Sequence, residues 1–163
     1  MSTVASLVVG ADGATTLGGI SRGVSSLVDR AVFIERRKTF DAIIIGGNTA
    51  RIEPYSSTPV PLVILSRSSV NPVPENPSAH VWNLEPSQAI KRADLEFGGN
   101  ILIEAGANLI SKMLSENLIE EFYLTITPVL GGENIVNWHK ILDHFEFVKQ
   151  SELEETVFYH ATR

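Results

Sequence analysis

Cysteine is absent from this chain of 163 residues, which excludes disulfides, a thiolate nucleophile and any thiolate-ligated metal. A reducing, cytoplasmic setting is the expected compartment. Long apolar runs are also missing, and nothing approaches the roughly 20 residues that a membrane-spanning helix needs. The opening Met1-Ser-Thr-Val-Ala-Ser-Leu-Val-Val has no basic flank and its apolar run stops at Gly10, so it reads as a first strand rather than a signal peptide. Positive charge is scarce: 13 Lys and Arg face 19 Asp and Glu, for a formal net charge of -6. No basic stripe exists to displace counterions, which argues against a nucleic-acid surface. Any anionic ligand has to be met locally. The four histidines, His80, His139, His144 and His160, form no pair at metal-ligand spacing, so no metal site is expected. Neither a Gly-x-Ser-x-Gly elbow nor a Gly-Lys-Ser/Thr phosphate loop is present.

What is present is an ordinary globular composition, 44% hydrophobic and 20% charged, at about the length of one domain. Residues 1–163 are therefore expected to form a single unit. Short β-branched runs at Val4 to Val9, Ala42 to Ile45, Leu62 to Leu65, His80 to Trp82 and Ile101 to Glu104 read as strands. Helical spacing appears over Gly23 to Lys38, with Val24, Leu27, Val28, Ala31, Val32 and Ile34 apolar and a basic C-terminal cluster. Two more helices are predicted, one opening at Pro86 and one over Ala107 to Glu116. Toward the end the pattern changes. Glu121 to Thr127 is strand-like, and Phe145 to Lys149 and Thr156 to His160 alternate as half-buried antiparallel strands joined by a hairpin around Ser151 to Glu155. The alternation predicts an α/β fold of three layers, with a mixed, mostly parallel sheet of about eight or nine strands and a C-terminal antiparallel hairpin. The glycine-rich Gly18 to Gly23 reads as a lid or active-site loop.

Two strand-to-turn-to-helix junctions carry the functional signal: Asp41-Ala-Ile-Ile-Ile-Gly-Gly-Asn-Thr-Ala-Arg51 and Ile101-Leu-Ile-Glu-Ala-Gly-Ala-Asn-Leu109. A buried strand that stops at glycine and opens a helix aims free backbone N–H groups at one spot, beside the positive end of the helix dipole. Two such junctions suit a ligand with two anchored parts, such as a dinucleotide laid across the strand ends. A plain strand-to-turn connection is the competing reading for either junction alone. At Leu65-Ser-Arg67 a hydroxyl and a guanidinium follow a strand, a pairing suited to a ribose 2′-phosphate or, equally, to a solvated strand end. Glu104 ends an apolar strand just before Gly106, which places a carboxylate at the mouth of the sheet. There it can accept hydrogen bonds from a ligand or cap the next helix.

The ordered set Ala11-Asp-Gly13, Asp41-Ala-Ile-Ile-Ile-Gly-Gly-Asn-Thr49, Ile103-Glu-Ala-Gly106 and Thr127-Pro-Val-Leu-Gly-Gly132 resembles the reductase domain of riboflavin biosynthesis, whose fold is similar to that of dihydrofolate reductase. The likeness extends over nearly the whole chain. It implies an NADPH-dependent enzyme, usually a homodimer, that transfers hydride to a phosphoribosylamino-pyrimidine, as 5-amino-6-(5-phosphoribosylamino)uracil reductase does. It further implies that Asp12 and Glu104 meet the ring at the catalytic centre. Ser21 and Arg37 would hold the phosphoribosyl end, with Arg51 as a partial substitute for a missing arginine. Gly46, Gly47, Thr49, Ser66, Arg67, Gly106, Ala107, Asn108 and Leu109 would bind the cofactor.

Several positions depart from that family pattern. Gly10 and Ala14 stand where a serine and a basic residue are usual, Gly23 replaces an aromatic, and Ala105 replaces a glycine. An Asp-x-Pro-x-Leu segment followed by arginine gives way to Ile52-Glu-Pro-Tyr-Ser-Ser-Thr58. Losing a guanidinium from an anion site removes charge-assisted bonds worth roughly 1.5 to 3 kcal/mol each. A reductase of a different small pterin or pyrimidine, or a nucleotide-binding homologue without catalysis, is therefore also open.

Overall fold

The computed structural model describes all of residues 1–163. Ten strands and five α-helices follow one another along the chain. Eight strands form the main sheet: β1 (Ser2–Val9), β3 (Ala42–Gly46), β4 (Leu62–Leu65), β5 (Ala79–Trp82), β6 (Asn100–Ile103), β7 (Glu121–Ile126), β9 (Phe147–Leu153) and β10 (Thr156–Thr162). Their order is β5-β4-β3-β6-β1-β7-β10-β9. The first six run parallel, and β10 is antiparallel to both neighbours. β2 (Ala14–Thr16) and β8 (Glu133–Ile135) make a separate antiparallel ribbon.

Strand chemistry explains the layers. Ile43, Ile44, Ile45, Leu62, Val63 and Ile64 are fully buried, as expected where a parallel sheet is covered on both faces. On one face α3 (Pro86–Glu96) and α4 (Ala107–Ser115) press Ala89, Ile90, Ile110 and Met113 against Ala5, Ile44 and Ile103. On the other, Ile43, Ile45, Leu62 and Ile64 meet Ala50 of α2 (Gly47–Ile52), Tyr55 and Val73. The expected three-layer, mostly parallel architecture is present, with eight strands in the sheet.

Two elements depart from expectation. The stretch Gly23 to Lys38 is broken into a 3-10 turn, Ser21–Val24, and α1 (Leu27–Arg37). The break falls at Ser26, whose hydroxyl accepts the Asp29 N–H and caps α1. The helix also sits with its apolar stripe outward: Leu27 is 89% exposed and Ile34 45%, while Asp29 is its buried residue. This follows from what α1 covers. Beneath it lie Ser6, bonded by Arg36, and Glu104, bonded by Arg37, so its inner face has to be polar. The second departure is at the hairpin. The expected half-buried strand from Phe145 instead begins at Phe147, with Phe145 buried against Phe122 ahead of it, and β9 is exposed along its whole length. Ser151 to Leu153 belong to that strand, and the turn is reduced to Glu154 and Glu155, both at positive φ.

Candidate functional site

A cleft of about 580 Å³ opens at the carboxyl ends of β3 and β6, where strand order reverses between them and β1. Its size is that of a small-molecule or cofactor site. Both glycine junctions empty into it. Gly46 caps α2 and Gly106 caps α4, neither with a side-chain bond, so the first-turn N–H groups face the cleft without a side-chain acceptor. A Cβ added at Gly46 would meet nothing nearer than Leu109 Cδ2 at 3.6 Å, and one at Gly106 nothing nearer than Thr49 Oγ1 at 3.8 Å. Each Cβ would rest at ordinary contact distance from one cleft-lining side chain, and the bare glycine leaves that space for a close approach to main chain. Thr49, Ala107, Asn108 and Leu109 also line this half. At Gly47 a Cβ would press on Arg51 Nη1 and Ser66 Oγ, both at 3.2 Å, so these two side chains converge behind the junction. Arg51 bonds Asn48 Oδ1, and Ser66 Oγ accepts the Ser68 N–H. Arg67 lies outside the cleft lining, close enough to Glu85 and Lys112 to act on both through charge.

The other half of the cleft is built by α1, by residues 52–55 and by the β2–β8 ribbon. Its floor is a buried charge network. Arg37 Nε donates to Glu104 Oε1 at 2.8 Å and Nη2 to Oε2 at 2.6 Å, while the Tyr55 hydroxyl donates to Oε2 at 2.8 Å. The side chains are 13% and 4% exposed for Arg37 and Glu104. The guanidinium is flanked by the rings of Phe33, 4.3 Å from centroid, and Tyr55, 5.1 Å. Burial opposes the Arg37 charge, but the Glu104 carboxylate more than offsets it and the pKa is raised. Burial, reinforced by the Glu104 charge, lifts the Tyr55 hydroxyl well above its ordinary range.

These contacts engage several of the residues expected at the site. Both oxygens of Glu104 are held from below by Arg37 and Tyr55, and Arg37 is paired within the protein. Ser21 lines the cleft, yet its N–H donates to Glu53 Oε1 at 2.7 Å, so a carboxylate occupies that donor. Asp12 is outside the lining. It accepts N–H bonds from Gly131 at 2.9 Å and Ala14 at 3.1 Å, which hold its pKa down and tie the loop after β1 to the loop after β7. Glu133 does similar work at the rim: its carboxylate takes the Thr16 hydroxyl and the Gly18 and Gly19 N–H groups, fastening the glycine-rich loop over the opening. Residues that the sequence did not single out are Asp29, Phe33, Glu53 and Tyr55. Glu53 and Tyr55 fall in the Ile52 to Thr58 segment that departs from the family pattern, but only the shared cleft lining gives the four a place at the site.

The architecture is that of pyrimidine reductases of dihydrofolate reductase-like type. A bifunctional diaminohydroxyphosphoribosylaminopyrimidine deaminase/5-amino-6-(5-phosphoribosylamino)uracil reductase from Thermotoga maritima superposes with a TM-score of 0.76 at 13% identity, over 99% of this chain and 56% of that one. RibD from Acinetobacter baumannii gives 0.73 at 18% identity, over 99% and 57%. A pyrimidine reductase-like protein from Corynebacterium diphtheriae gives 0.70 at 18%, over 99% and 91%. The chain thus spans little more than half of the two longer proteins. An uncharacterized protein of Bacillus subtilis, YwjB, is 38% identical over 50 residues, 31% of this chain and 29% of its own length. Residues 3–158 match the model of the RibD C-terminal domain, and the chain belongs to that family. Its reductases use NAD(P)H.

Proposed function

We propose that this chain is an NADPH-dependent reductase of a small pyrimidine- or pterin-like ring, acting in the cytoplasm as a homodimer. The observation that carries the reading is that two glycine junctions, at Gly46 and Gly106, open onto one cleft with their helix N-termini bare. Such a pair suits the two anchored halves of a dinucleotide. Gly46, Gly47 and Thr49 would receive one part and Gly106, Ala107, Asn108 and Leu109 the other. Ser66 and Arg67, at the end of β4, would read the ribose 2′-phosphate, with Arg51 beside them.

When bound, the dihydronicotinamide supplies a hydride to a C=N or C=O carbon of the substrate, whose heteroatom takes a proton. The protein's part is to hold both partners and exclude water. Phe33 and Tyr55 wall the substrate half, the Glu133-fastened loop covers it, and the Arg37–Glu104–Tyr55 network gives it a rigid floor. Reduction of 5-amino-6-(5-phosphoribosylamino)uracil is the substrate reading that the resemblance implies. A different pyrimidine or pterin is favoured by the engagement of Arg37 with Glu104 and of the Ser21 N–H with Glu53.

Nicotinamide fluorescence tests the cofactor half. Titration with NADPH and NADH is expected to show a clear preference for NADPH that Arg67→Ala reduces by about tenfold, the value of one charge-assisted contact. Binding of neither nucleotide contradicts the reading. NADPH binding without turnover on any pyrimidine or pterin indicates the nucleotide-binding homologue instead.

A further inference from the structure

At the β4–β5 end of the sheet, beyond the glycine half of the cleft, charged side chains from three elements converge. The Ser66 N–H donates to the Trp82 carbonyl at 3.1 Å, so the chain leaves β4 and β5 side by side and carries Arg67 and Glu85 out at the same end. Helix α4 arrives there from the other junction. Its first turn, Ala107 to Leu109, lines the cleft, and a turn further on Lys112 Nζ donates to Glu85 Oε2 at 2.5 Å. Glu85 is also the N-cap of α3, its carboxylate accepting the Gln88 N–H while the Gln88 side chain accepts the Glu85 N–H, so it is fixed in place. The Lys112 bond holds the Glu85 pKa down and Glu85 holds the Lys112 pKa up, with Arg67 acting on both through charge and Glu116 acting on Lys112. Arg67 forms no ion pair. Its neighbour Ser66 stands against the first junction, where a Cβ at Gly47 would meet Ser66 Oγ at 3.2 Å. The cluster therefore lies at the rim between the two anchors of the cleft.

We propose that Lys112 is a second cation for the 2′-phosphate of the dinucleotide, beside Arg67, and that Glu85 is a positioning residue that sets how strongly NADPH is preferred over NADH. The proposal rests on the cofactor reading above and adds to it a second contact from α4, whose N-terminal turn and Lys112 would hold one ligand at two places. A phosphate monoester carries more than one negative charge and three acceptor oxygens, so a single guanidinium leaves charge and acceptors unmet. Lys112 has three rotatable donors on a flexible stem, enough to keep one on Glu85 and turn another to the phosphate. Glu85 acts in two opposed ways. It keeps the ammonium at the rim, and its own charge repels the phosphate. NADH escapes that repulsion, because its 2′-hydroxyl is neutral and is the group a carboxylate accepts at such a strand end. Without Lys112, Glu85 would face the ribose uncompensated and turn the preference toward NADH.

The test titrates the whole protein with NADPH and NADH by nicotinamide fluorescence, and by calorimetry with adenosine 2′,5′-bisphosphate and adenosine 5′-phosphate, fragments that carry and lack the 2′-phosphate. Lys112→Met is expected to weaken NADPH and the bisphosphate by at least about tenfold while NADH and the monophosphate stay within about twofold. Lys112→Arg keeps a cation and is expected to restore most of the preference. Glu85→Gln, whose amide oxygen still caps α3, is expected to tighten NADPH by about threefold and leave NADH unchanged. The double Glu85→Gln, Lys112→Met variant is expected to bind NADPH more tightly than Lys112→Met alone. Melting temperatures should hold in all four variants, because a pair with side chains 44% and 69% exposed adds little to stability. Equal weakening of both nucleotides by Lys112→Met overturns the proposal, as does no weakening, or weaker NADPH binding in Glu85→Gln. A parent protein that binds neither nucleotide removes the cofactor reading and this assignment together. NADPH preference that ignores Lys112 removes this assignment alone.

Discussion

At the scale of single residues, the Arg37–Glu104 pair governs the cleft floor. Removing one member of a buried pair leaves the other charge uncompensated, which costs about 3 to 5 kcal/mol. Glu104→Gln and Arg37→Met are each expected to lower unfolding free energy in urea by that amount. The combined Arg37→Met, Glu104→Leu change is expected to recover most of it, because two apolar groups leave no stranded charge. Additive losses in the double variant would contradict the pairing. Tyr55 adds a pH signature. Its pKa is raised by burial and by the Glu104 charge, so the folded state keeps a proton that the unfolded state releases near pH 10. Stability is therefore whole below that pH and falls as pH climbs above it toward the higher folded value. The melting temperature between pH 9 and 11, ordinary conditions on either side of the tyrosine range, is expected to drop less steeply in Tyr55→Phe than in the parent. Parallel curves would show that the hydroxyl is not held in this way.

At the scale of elements, legibility depended on how local the determinant was. The parallel strands were readable because burial on both faces demands continuous apolar runs, as in Ile43 to Ile45, and both junctions were readable because glycine punctuates them. Helix α1 was not. Its periodicity was seen, but its orientation was inverted by the polar cleft floor, which exists only once Glu104 and Ser6 are brought beneath it. The short ribbon strands β2 and β8 escaped notice because three-residue pairings carry no periodicity. At the candidate site the glycine-bearing residues were legible, whereas Glu53 and Tyr55 acquire meaning only from partners distant in sequence, Ser21 and Glu104. The exposed edge strand β9 bears on the proposed homodimer. Antiparallel self-pairing centred on Gln150 would set Phe147 against Leu153 of the partner subunit, twice, and satisfy a bare edge. Phe147→Lys with Leu153→Lys is expected to yield a folded monomer by sedimentation. A dimer that persists in this variant would place the interface elsewhere.

At the scale of the whole molecule, the cleft divides by charge. The half at the ends of β3 and β6 is glycine backbone and helix N-termini, suited to an anionic dinucleotide. The half under α1 is carboxylate and aromatic, with Glu104 paired to Arg37. The most direct test is NADPH titration of Gly46→Val and Gly106→Val. Neither glycine has a positive φ, and each added Cβ meets a single cleft-lining side chain at no less than ordinary contact distance, so the fold should tolerate both while the dinucleotide should not. The account predicts an unchanged melting temperature with NADPH affinity lower by at least about tenfold in each. Parental affinity in both variants would contradict it.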